Sequence, residues 1–180
     1  MSGNDGGPMV CECLSEWLQK PLVLWLGAAK WFADVYFLVF LVLIWYKANK
    51  FLYASDVLAE EAVLLVFLFV LQRAQLALGV RGCRTQSSGQ VGAFLWLAIP
   101  LGFFFGYHLS YQVYVLQIEI ILATAALALL ASEVLLALAY GLAISDGTQD
   151  RGILVLGATL ALVVVAIMSG LHLSVGGTAF

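Results

Sequence analysis

The chain reads as an all-α membrane protein: a bundle of four core transmembrane helices followed by a fifth, C-terminal helix. Three observations carry that reading. Of its 180 residues, 63% are hydrophobic, and the mean hydropathy is +1.02. Only 11% are charged, against about 25% in a soluble globular domain. The apolar residues also fall into separate runs, each near the ~20 residues that cross a bilayer. A chain so poor in charge cannot cover a water-facing surface, so lipid must cover it. The net charge of -3 is too small to point to nucleic acid, and the eight basic residues are scattered.

The opening residues 1–20 form a polar tail. They are acidic and Gly-rich, unlike the basic start of a cleavable signal peptide. They begin Met-Ser, so the Met-Gly myristoylation pattern is absent. Cys11 and Cys13 lie shortly before the first span, where palmitoylation or two free thiols are the alternatives. Cys83 makes the count three, which does not suit a disulfide framework.

The first span is residues 21–46. It holds Lys30 and Asp34, four residues apart and able to face each other on one side of a helix. Lys47 and Lys50 close it. The second is residues 57–78, with Glu60 and Glu61 near its start and Gln72, Arg73 and Gln75 near its end. Residues 81–90 are hydrophilic and read as a loop. The third span is residues 91–107 and contains Pro100, which removes a backbone hydrogen bond and should kink the helix. Residues 108–112 are the turn into the fourth span, residues 114–144, rich in Ala and Leu. A polar loop, residues 145–152, precedes the fifth span, residues 153–173, which ends near His172. Residues 174–180 form a short tail. No soluble domain, heptad array or internal repeat interrupts this order.

Orientation follows the Lys and Arg count of short loops. Lys20, Arg81, Arg84 and Arg151 lie on one side and Lys47 and Lys50 on the other, which favours a cytoplasmic N-terminus. Five crossings then place the C-terminus outside. If the fifth segment does not cross, both termini lie inside.

Ionisable residues inside a bilayer are costly and draw attention as functional candidates. At the helical rise, Arg73 and Glu133 fall at similar depths, ~12 and ~15 Å from the inner ends of their spans. Lys30 falls in the same half. Glu133 is therefore expected to pair with Arg73 or Lys30, as part of a proton or ion relay or as a contact that fixes helix packing. Glu60, Glu61 and Glu119 lie near outer span ends, where headgroup-level solvation is the expectation. A divalent cation there would need further oxygen ligands that no loop supplies.

Small residues mark close packing. The third span carries Gly102-Phe-Phe-Phe-Gly106, and the fourth carries Thr124, Ala128 and Ser132 at four-residue spacing. Such stripes serve packing within the bundle or binding of a partner helix.

Catalytic patterns are missing. No GxSxG, HExxH, P-loop or dinucleotide fingerprint occurs. His108 and His172 stand at span ends and do not form the axial pairs of a haem-binding bundle. Asp34 is the sole aspartate within a span, whereas an intramembrane aspartic protease needs two. Neither a cofactor nor a metal is expected, and the chain reads as a non-enzyme.

The stretch Gln112-Val-Tyr114-Val115-Leu116-Gln-Ile-Glu119-Ile120-Ile121, followed by Ser132-Glu133 and a Leu/Ala run, resembles the transmembrane-protein 17/80/216 family of small four-span membrane proteins. Tyr36-Phe37-Leu38, Tyr46-Lys47, Arg73, Gly79, Gly82 and Pro100 extend the resemblance over residues 25–143. It implies a non-enzymatic role at the ciliary transition zone, within the Meckel-type module alongside tectonic and other membrane proteins. There the family contributes to a diffusion barrier and to cilium assembly. Glu119 and Glu133 would then serve packing or partner contact; Lys30, Arg73, Gly102, Gly106, Tyr114 and Ser132 are the further candidates for such contacts. A homo-oligomer is a further arrangement the small-residue stripes allow. The fifth span departs from the usual four-span core. The reading from a different class is a small ion channel or proton-coupled transporter using Glu119, Glu133 and Arg73.

Overall fold

A computed structural model gives five helices: α1 (Gly7–Lys50), α2 (Ser55–Thr85), α3 (Ser88–Ser110), α4 (Gln117–Ile144) and α5 (Thr148–Gly176). The structure describes the backbone of residues 7–50, 55–110, 117–145 and 148–176, and side chains within 17–50, 58–108, 117–145 and 149–170. Tyr114 and the side chains of Cys11, Cys13 and His172 lie outside the described residues. No strand occurs among the described residues. In hydrocarbon every backbone amide must be satisfied within its own segment, and the helix does this.

All five helices are long and apolar enough to cross a membrane. α1–α4 form a ring in which each helix packs on its chain neighbours and α1 closes against α4, while α5 lies along α3 and α4. α3 is therefore the most enclosed helix. Its Phe105 meets Tyr36 of α1 edge to face at 5.6 Å across the centre. Tyr36 stacks on Phe40 at 4.4 Å, and Phe37 stacks on Phe69 of α2 at 4.3 Å. The outward face is apolar as well, with Leu24, Leu38, Val42, Val70 and Val163 all exposed. This is the surface a lipid-solvated bundle needs.

The helices run further than the apolar runs do. α1 takes in residues from Gly7 onward, and α3 continues through Pro100. The expected loop at residues 81–90 is mostly helix, because polarity at a span end does not stop a helix whose backbone bonds are already made. The connection contracts to Gln86 and Ser87. Gln86 takes a positive φ of 49°, and the Ser87 amide donates back to the Gly82 carbonyl at 3.4 Å. That is the left-handed closure usual at a helix C-terminus.

At the same end, side chains satisfy carbonyls that the helices leave open. The Cys83 carbonyl accepts from Gln19 Nε2 of α1 at 2.9 Å and from the Tyr140 hydroxyl of α4 at 3.2 Å. Three helices thus meet on one backbone oxygen, which lies in the last turn of α2, where carbonyls lack an intrahelical donor. Arg151 of α5 donates to the Ser145 carbonyl just past α4, at 3.0 Å from Nη2. Tyr140→Phe is expected to cost about 1 kcal/mol, the net value of one buried hydrogen bond. Unfolding in detergent micelles, followed by circular dichroism, checks it. An unchanged midpoint would show that Gln19 alone satisfies the carbonyl.

Candidate functional site

Two groups of charges stand out, at different levels of the bundle. The first is buried where α1, α2 and α4 meet. On α1, Tyr36, Phe40 and Lys47 lie on one inward face, at spacings of four and seven residues. That face carries the Lys47 side chain into the interior at 0% exposure. Glu119 opens the inward face of α4, followed by Ala123, Ala126 and Leu130. Glu61 likewise precedes Leu65 and Leu68 on α2. Lys47 Nζ lies 2.8 Å from Glu119 Oε1 and 3.9 Å from Glu61 Oε2. His108 of α3 is buried at the same level, with its ring 5.2 Å from Phe40.

This corrects two expectations. Glu61 and Glu119 are not solvated at headgroup level; they are buried against Lys47, and only Glu60 is exposed. Lys47 is the buried partner that sequence reasoning missed, since it was read as closing a span and as a charge on the outer side. The signal was available: Lys47 falls at the same bundle end as the three glutamates, so opposite charges share one level.

The second group is the pair Asp34–Arg73, joining α1 to α2 through Arg73 Nη2 and Asp34 Oδ1. The guanidinium also lies over the Phe69 ring, 5.0 Å from its centroid. The expected partnership of Glu133 with Arg73 or Lys30 does not form. Arg73 is engaged by Asp34, and Lys30 points outward and is exposed. Lys30 and Asp34 do not pair with each other either; the longer Arg73 reaches Asp34 from the neighbouring helix. Glu133 is buried on the same α4 face as Glu119, about 21 Å further along at the helical rise. It joins no ion pair among the described residues.

The two small-residue stripes part company. Gly102 and Gly106 are buried, and both meet α5. A Cβ at Gly102 would lie 3.0 Å from Val164 Cγ1, and one at Gly106 would lie 2.8 Å from Met168 Cβ. The GxxxG pattern is thus spent on packing inside the bundle. On α4, Thr124 and Ala128 face outward. Ser132 is half-buried and accepts a hydrogen bond from Trp25 Nε1 of α1 at 3.0 Å. No group of His, Cys, Asp and Glu among the described residues could hold a metal ion. An open groove of about 430 Å³ lies between α2, α3 and α5, lined by Leu64, Phe103, Phe104 and Met168 with Glu60 and Tyr107.

Five helices, each long and apolar enough to cross a bilayer, define an integral, multi-pass α-helical membrane protein. A family model, Transmemb_17, described as a predicted membrane protein, matches residues 25–130. That is more than half of the chain, and the chain belongs to this Transmembrane protein 17 family. The matched region covers α1 from Trp25, all of α2 and α3, and the first half of α4. It contains both charge groups. No solved structure matches the chain.

Proposed function

We propose that this protein is a non-enzymatic membrane scaffold of the ciliary transition zone. It contributes to the ciliary gate and to cilium assembly through helix–helix contacts with partner membrane proteins, tectonic-type proteins among them. The N-terminus lies in the cytoplasm. The resemblance read over residues 25–143 supports the address. The observation that carries the scaffold reading is how the intramembrane charges are used. Lys47, Glu61 and Glu119 close on one another, and Asp34 closes on Arg73. Each set ties helices together, which is packing chemistry rather than transport chemistry. The channel reading needs Glu119, Glu133 and Arg73 to act along one path. Glu119 is committed to Lys47, Arg73 to Asp34, and Glu133 stands apart from both.

A fluorescently tagged full-length chain expressed in ciliated cells is expected to concentrate at the ciliary base. A uniform plasma-membrane or organelle signal would overturn the address. Purified protein in liposomes is expected to pass no ions, and a flux lost with Glu133→Gln would overturn the scaffold reading.

A further inference from the structure

The Asp34–Arg73 pair occupies an unusual place. Along α2, Arg73 is about 18 Å from Thr85 and about 22 Å from Leu58. Along α1, Asp34 is about 26 Å from Trp17 and about 24 Å from Lys50. Each residue is near the midpoint of its candidate span, Leu58–Thr85 or Trp17–Lys50, so the pair lies near mid-membrane in both helices. Yet its side chains are 33% and 35% exposed. The exposure is outward: Trp31, Val35 and Leu38 flank Asp34 on α1, and Val70 precedes Arg73 on α2, all facing away from the bundle. Lys30 is exposed one turn from Asp34. By contrast, Lys47, Glu61, Glu119 and Glu133 are buried. The fold therefore encloses other intramembrane charges but leaves this group open.

Lipid tails offer no hydrogen bonds and solvate charge poorly. The group is also unbalanced, with Lys30 and Arg73 set against Asp34 alone, a surplus of positive charge. A guanidinium has five N–H donors, and a second carboxylate can share it. We propose that this α1/α2 face docks a transmembrane helix of a partner protein that carries a carboxylate near the bilayer midplane. The inference rests on the scaffold reading and adds the place and chemistry of the contact. A second copy of this chain fits poorly. A second copy would bring its own Asp34 to this face, but also its own Lys30 and Arg73, so the positive surplus would be doubled instead of neutralised.

The test uses the labelled full-length chain in phosphatidylcholine vesicles. The probes are Leu/Ala transmembrane peptides of roughly 20 residues with a single central Glu, Lys or Leu. Energy transfer reports association. The Glu peptide is expected to associate roughly tenfold more tightly than the Leu peptide, the effect of one good interhelical polar contact. The Lys peptide should do no better than Leu. Lys30 is exposed, so Lys30→Leu should keep the helical circular-dichroism spectrum while losing most of that preference. Lys30→Glu should shift the preference toward the Lys peptide. Equal binding of the Glu and Leu peptides, or a preference unmoved by Lys30→Leu, overturns the proposal. So does stronger transfer between two labelled full-length chains than to the Glu peptide, which would give the face to a second copy. Vesicles contain no cilium, so failure here leaves the ciliary address standing. A diffuse signal in cells would likewise leave a positive peptide result intact.

Discussion

Lys47→Met is expected to destabilise the bundle by about 3–5 kcal/mol, the cost of breaking a buried ion pair by removing one partner. Lys47 is enclosed, with Glu119 Oε1 at 2.8 Å and Glu61 Oε2 at 3.9 Å. Without the ammonium, two carboxylates from α2 and α4 face each other in a medium that screens them little. The penalty is thus mainly that of the charges left behind. It follows that Lys47→Met combined with Glu61→Gln and Glu119→Gln should be much less damaging than the sum of the single changes. Unfolding in mixed detergent micelles, read by tryptophan fluorescence, measures both. Strict additivity would show that the three residues do not act as a unit. A loss under about 1 kcal/mol for Lys47→Met, the range of a solvent-exposed pair, would show that water reaches the cluster.

Gly106→Val is expected to cost about 1–3 kcal/mol, the range for forcing extra atoms into a packed interior. The reason is the approach of α3 to α5. A Cβ at Gly106 would lie 2.8 Å from Met168 Cβ, and the atoms further along that side chain would be closer still. The flexible end of methionine can swing aside, but its Cβ moves only with the α5 backbone. Adding Met168→Ala should recover part of the loss, because it removes Cγ and Sδ, the two nearest atoms, and leaves only the Cβ at 2.8 Å. The same micelle unfolding, with helix content checked by circular dichroism, decides it. If Met168→Ala gave no rescue at all, the conflict with Met168 Cγ and Sδ would not be what the substitution at Gly106 costs.

The helical membrane class was readable from composition alone, because hydropathy reports directly on the solvent a chain needs. The GxxxG pattern was also readable as a close contact, since small residues permit approach wherever they occur. Its partner was not, because α5 reaches Gly102 and Gly106 only once all five helices are assembled. Residues 81–90 misled for a related reason. Their polarity marks the membrane boundary, while the helix persists through Thr85.

The charges show the boundary most clearly. Depth along a helix can be counted from sequence, and counting placed Arg73 and Glu133 at similar depth, with Lys30 in the same half of the membrane. Depth does not give azimuth, however. Glu133 faces the core on the same side of α4 as Glu119, whereas Lys30 faces outward and Arg73 meets Asp34 at the α1/α2 seam. Hydropathy and spacing thus sufficed for a multi-pass helical protein with charges in its spans and a glycine stripe in its third helix. Which charges meet depends on how each helix is rotated about its axis. That rotation is settled by the aromatic contacts and the α3–α5 packing acting together, long-range terms that no local pattern records.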